Sequence, residues 1–290
     1  MAFLLSPFQK MCCADNDASE AQNVYDEGQR HPQLFDEETV GSAEQPWNNG
    51  KAEDGSSLEE RGEQETQGGA KYQGQWLGGN RHGNGVLRRP DGQRYEGEFR
   101  NSQAHGHGVF SAANGNTYEG QWESDRAHGH GKYVHVDGSA YEGEWQQDEK
   151  SGRGVETWAD GARYQGDFLH GSKHGQGVYK SATGVQFEGQ FRNDKMEGEG
   201  IYKFADGRIY NGQWMDGHMT GIGKMEWPNG SKYEGEYEND MKAGEGTFYW
   251  PDGRVYKGQW AAGKQDGQGV IVDANGVETP GQWKAGERVS

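Results

Sequence analysis

The sequence predicts an all-β protein: an elongated, single-layer antiparallel β-meander of 23-residue hairpin repeats, preceded by a disordered N-terminal leader. Three observations carry this. A 23-residue period runs without insertion from Tyr72 towards the end of the 290-residue chain. Each unit opens with an aromatic, a glycine and an aromatic at alternate positions, as in the YEGQW of Tyr118–Trp122. Most units close on Asp-Gly or Asn-Gly, as at Asp91-Gly92, Asn114-Gly115 and Asp137-Gly138.

The leader comes first. Residues 1–70 hold 15 acidic and 4 basic residues, so they carry −11 of the chain's net charge of −17. Residues 14–61 are polar and aperiodic, too poor in apolar groups to offset the entropy of ordering, and are expected to be disordered. Tyr25, Leu34, Phe35 and Trp47 are isolated apolar points there, read first as solvated and alternatively as docking residues, with Phe35 or Trp47 folding back onto the repeats. The domain division is 1–61 for the leader and 62–290 for the array.

Within the array, complete units start at Tyr72, Tyr95, Tyr118, Tyr141, Tyr164, Phe187, Tyr210, Tyr233 and Tyr256, and a half unit starts at Thr279. Residues two apart in a strand share a face. Tyr118, Gly120 and Trp122 therefore line one side, while Glu119 and Gln121 face the other. A side chain at Gly120 would take the space between the rings. The second half of the unit alternates Gly131, Tyr133 and His135 on the ring side. The Asp-Gly and Asn-Gly pairs suggest tight type I′ hairpin turns. The other connection, which contains Gly129, reads as a longer loop. Nineteen strands result, and Thr279-Pro280 marks a cap on the open edge.

Composition narrows the function. Hydrophobic residues are 31% of the chain and aromatics 12%, which points to stacked rings rather than a thick aliphatic core. Neither part is basic overall, which argues against nucleic acid as a partner and against unaided binding to an anionic membrane. No apolar run is long enough to span a bilayer, and no signal peptide is read, so the cytoplasm is the expected location. The adjacent Cys12 and Cys13, beside Phe8 and the FLL run, are candidates for S-acylation; an unmodified terminus is the plainer reading.

No catalytic arrangement emerges, and no cofactor is expected. The glycine pairs lack the strand–loop–helix setting and the GK[ST] ending of a phosphate loop. His105 with His107 and His128 with His130 form H-x-H pairs, which His82 and His174 extend along the array. Even with Asp125 each pair lacks a full ligand set, so turn packing is preferred to a metal. The carboxylates Glu96, Glu119, Glu142, Glu188 and Glu234 read as a solvated face.

The unit Y-E-G-x-W, a turn with H-G-x-G and a closing D-G closely resembles the MORN (membrane occupation and recognition nexus) repeat, over residues 72–290. The resemblance implies a twisted meander with an aromatic-lined groove and a non-catalytic scaffold that takes a partner helix or extended peptide. It also implies a cytoskeletal, ciliary or membrane-associated setting, and a homodimer as a further arrangement. On that basis Tyr118, Trp122, Tyr141, Trp145, Tyr164 and Phe168 are expected to line the partner-binding groove. Two alternatives are a membrane- or phosphoinositide-associated module and a regulator of a lipid kinase in trans. Seven residues follow Trp283, so no catalytic domain is expected in cis.

Overall fold

The computed structural model describes Ala52 and residues 55–290. The expectations for the leader up to Trp47, including Cys12 and Cys13, lie outside the described residues. The fold divides into two compact units, one running to Ala159 and the other from Asp160 to Ser290.

The first unit contains β1 (Glu59–Glu65), β2 (Lys71–Leu77), β3 (Asn80–Arg88), β4 (Arg94–Arg100), β5 (Gln103–Ser111), β6 (Thr117–Glu123), β7 (Arg126–Val134), β8 (Ala140–Gln146) and β9 (Glu149–Thr157). The second contains β10 (Arg163–Leu169), β11 (Ser172–Lys180), β12 (Gln186–Arg192), β13 (Lys195–Lys203), β14 (Ile209–Met215), β15 (His218–Glu226), β16 (Lys232–Glu238), β17 (Met241–Tyr249), β18 (Val255–Ala261), β19 (Lys264–Val272), β20 (Glu278–Lys284) and β21 (Glu287–Arg288). Within each unit every strand pairs antiparallel with the next, giving an all-β meander. The described residues thus form 21 strands rather than nineteen. The extra two are β1, which starts before the expected boundary at 62 and pairs with β2, and the two-residue β21. Around Thr279-Pro280 the chain still pairs with β19, and the Arg288 guanidinium donates to the Pro280 carbonyl at 2.9 Å.

The register lines up one repeat with the next. In the first unit Phe110 faces Tyr118, Tyr118 faces Tyr133 and Tyr133 faces Tyr141. Beside them Gly108, Gly120, Gly131 and Gly143 form a transverse stripe.

The two kinds of turn are the reverse of the expected assignment. The Asp-Gly loops hold three residues, not two. At Pro90-Asp91-Gly92, Gly92 N–H donates to the Arg89 carbonyl and Arg89 N–H to the Gln93 carbonyl, and only Gly92 has positive φ. That is a type I turn closed by a left-handed glycine. Aspartate is favoured because its Oδ1 accepts the N–H two residues on, as Asp91 does from Gln93 at 3.0 Å. Turns with both central residues at positive φ, type I′, lie at the other end of the hairpins from β4–β5 onward. Ser124 and Asp125 have φ of 51° and 67°, and Gln147 and Asp148 have 51° and 72°.

Gly129 accordingly lies inside a strand. Its φ of +62° makes a bulge in β7, where the pairing jumps from Gly120–Gly131 to Trp122–Ala127. Gln121 Oε1 accepts the exposed His130 N–H of that bulge at 2.7 Å. Glu98, Glu144, Asp167 and Gln213 do the same for the bulges of their own hairpins.

Candidate functional site

The chemistry of each sheet is divided between its faces. On one side the first-strand rings form an edge-to-face ladder. Tyr118 meets Trp122 at 5.0 Å and 86°, and Trp145 at 5.3 Å and 89°; Tyr141 meets the same Trp145 at 5.0 Å. Each of these tryptophans thus sits between its own tyrosine and the preceding one. Its indole N–H reaches back as well, from Trp122 to the Gly108 carbonyl at 3.0 Å and from Trp145 to the Gly131 carbonyl at 2.9 Å. The phenol of Tyr118 donates to the Gln121 carbonyl at 2.9 Å. In the second unit Tyr164 packs on Phe168 at 5.2 Å and on Phe191 at 5.0 Å. Edge-to-face pairs contribute about 0.5–1.5 kcal/mol each beyond their burial.

These rings are the core of the protein. Tyr118 and Tyr164 are 0% exposed, Tyr141 and Trp145 2%, Phe168 4% and Trp122 6%. The six expected groove residues thus fall on one ring-bearing face within each unit, with their surfaces taken up by neighbouring rings. Burial raises the phenol pKa of Tyr72, Tyr95, Tyr118, Tyr210, Tyr233 and Tyr237, and pushes that of Tyr202 up to about 12.

A second row of rings, on the other strand of each hairpin or one residue past its end, shares this face; Tyr133, Tyr202 and Phe204 of this row are buried, and the rest remain half-buried. The half-buried members are Phe110 and Trp158 in the first unit and Tyr179, Trp227, Phe248 and Trp250 in the second. The alternation of Gly131, Tyr133 and His135 places this row on the ring side in the sequence, but it does not show which of its rings stay half-buried. In the structure Phe110 sits opposite Tyr118 in register.

Cations also enter the ring face, at the position opposite the second aromatic of the first strand. Lys150 faces Trp145, Lys173 faces Phe168 and Lys242 faces Tyr237. Lys150 pairs with Glu156, and Lys173 Nζ lies 3.5 Å from Asp194.

The opposite face is polar. Lys132 and Glu142 pair across it at 2.8 Å, and Lys232 pairs with Glu234 at 3.0 Å. In the second unit two open depressions of about 520 Å³ lie on it, one lined by Asn211, Gln213, Ile222, Lys224 and Glu234, the other by Glu245, Lys257, Gln259, Gln268 and Val270.

Among the described residues no group of three or more histidine, cysteine or acidic side chains is placed to hold a metal ion. Asp125 is engaged elsewhere, accepting the Ala104 N–H of the preceding repeat at 2.8 Å. His128 Nδ1 lies 3.5 Å from Glu123.

Within each unit, successive hairpins of one repeating pattern close their core only against their neighbours, which defines a β-hairpin repeat protein. The model of the MORN repeat family matches nine times, from residues 72–94 through 118–140 to 256–278. The chain belongs to the MORN-repeat family. Arrays of this family are protein- or membrane-binding modules and are generally non-catalytic. No curated protein matches the chain. Among solved structures, it is similar to the TCP domain of Drosophila melanogaster SAS-4 in complex with a proline-rich motif of Ana2, at 10% identity and TM-score 0.35 over 61% of this chain and 90% of that one. It is also similar to a mutant TCP10 domain of Danio rerio CPAP, at 12% identity and TM-score 0.38 over 75% of this chain and 96% of that one.

Proposed function

We propose that this chain is a non-catalytic scaffold whose ring-bearing face binds a helix or extended peptide of a partner protein. The setting is a cytoskeletal, ciliary or membrane-associated assembly, as the family resemblance implies. The observation that carries the reading is the half-buried part of the second row. After the ladder has packed, Phe110, Trp158, Tyr179, Trp227, Phe248 and Trp250 still offer aromatic surface on one side of their units. Rigid rings give large contact area at low entropic cost. Tyr118, Trp122, Tyr141 and Trp145 form the floor beneath in the first unit, and Tyr164 and Phe168 in the second.

Truncating a floor ring is a poor test, because removing a buried tryptophan costs about 3–5 kcal/mol of stability. A photo-crosslinking phenylalanine analogue at Phe110 or Tyr179 leaves the floor intact. The same analogue at Glu119 or Glu188 samples the polar face. In cells, adducts with a partner protein are expected from the first pair of positions. Adducts only from the second pair would move the interface to the polar face.

A further inference from the structure

Lysine occupies the same position in three repeats, opposite Trp145, Phe168 and Tyr237. Two of the three are neutralised by the array itself. Lys150 pairs with Glu156, six residues on, and Lys173 with Asp194, twenty-one residues on. The corresponding places for Lys242 hold Phe248 and Gly263, neither of which carries a charge. No carboxylate pairs with Lys242 among the described residues. Its ammonium is ringed by aromatics instead, 4.1 Å from the centre of Trp260, 4.9 Å from Phe248, 5.4 Å from Tyr233 and 5.8 Å from Trp227.

Rings attract a cation without neutralising it, and a half-buried ammonium without an anion is costly. The sequence can remove the charge here: Met196 and Met219 stand at this position in other repeats. In this repeat the lysine is retained and both internal counter-ions are absent. The half-buried Trp227, Phe248 and Trp250 stand beside it.

We propose that Lys242 is the anchor for a carboxylate of the bound partner peptide, an aspartate or glutamate flanked by apolar side chains that pack on Trp227, Phe248 and Trp250. This rests on the ring-face reading of function. The incoming carboxylate stands in for the Glu156 or Asp194 of the other repeats and completes the third ion pair. Charge complementarity commits the occupant: an acidic, apolar-flanked peptide fits the site, and a basic peptide is repelled.

The test uses the full chain and short labelled peptides alternating serine with leucine and phenylalanine, with aspartate or asparagine at the centre, read by fluorescence anisotropy. The aspartate peptide is expected to bind at least about tenfold more tightly than the asparagine peptide. That preference is expected to vanish in Lys242→Met, whose side chain the repeat tolerates elsewhere, and to survive in Lys242→Arg. Equal binding of the two peptides, or a preference that persists in Lys242→Met, overturns the anchor and leaves the ring face standing. No binding of either peptide overturns both. Lys242-dependent capture of the chain by phosphatidylserine vesicles, with no peptide binding, overturns the peptide in favour of a phosphate-bearing surface.

Discussion

The ring of Tyr118 lies across Gly131 on the neighbouring strand: a Cβ built on that glycine would stand 2.5 Å from Cζ of the tyrosine. The same contact recurs between Tyr141 and Gly154 and between Tyr164 and Gly177. Glycine here makes room for a ring rather than bending the chain. It lets a sheet one layer thick bury tyrosine completely.

Gly131→Ala should therefore cost about 1–3 kcal/mol by overpacking, seen as a lowered denaturant midpoint. Gly138→Ala, at φ +92° with no atom within 4 Å of the new Cβ, reports backbone strain alone. A loss at Gly131 no larger than at Gly138 would remove the ring-over-glycine account.

The bulge caps give a second expectation. Gln121→Met preserves length but leaves the His130 N–H to solvent. The cost should be near 1 kcal/mol, since that amide is exposed and water recovers part of the hydrogen bond. Amide hydrogen exchange at His130 should accelerate while exchange at Tyr133 is unchanged.

Alkali should unfold the protein through its tyrosines. Their folded pKa values are raised by burial above the ordinary 10, so the folded state holds protons that the unfolded chain releases. Stability from this source is fully present below pH 10 and falls as pH rises above it. Phenolate absorbance and loss of sheet ellipticity should appear together; phenolate forming first, with the sheet intact, would contradict the burial.

Lys242 acts in the opposite direction and in an earlier window. Burial among rings pushes it down to about 8 from the ordinary 10.5. Between those values the unfolded chain binds the extra proton, so stability should rise as pH climbs from about 8 towards 10.5. Lys242→Met should abolish that rise and stabilise the protein at pH 7 by about 1–3 kcal/mol. Comparing the two chains' thermal midpoints at pH 7 and pH 10 separates this effect from the tyrosines.

The strand pattern and the two-faced sheet were legible because both are local. Tyr118, Gly120 and Trp122 share a face through the two-residue strand period alone. The turns were not legible, because Asp-Gly suits two geometries, a two-residue type I′ turn and a three-residue loop closed by glycine. What separates them is the bulge at Gly129, which shifts the pairing of β7 against β6 so that Ser124 and Asp125 close that end in two residues. The cap role of Gln121 was hidden for the same reason, since its acceptor faces a bulge that only pairing creates.

By itself the sequence determined the repeat, its phase and the face on which the rings gather, because period and alternation are properties of neighbouring residues. Tertiary structure decided which rings are core and which stay half-buried. That depends on contacts between hairpins, where Trp145 closes over Tyr118 while Phe110 stays half-buried. It also decided that Lys150 and Lys173 are neutralised and Lys242 is not. Their counter-ions lie six and twenty-one residues away, and only the pairing of strands brings those positions together.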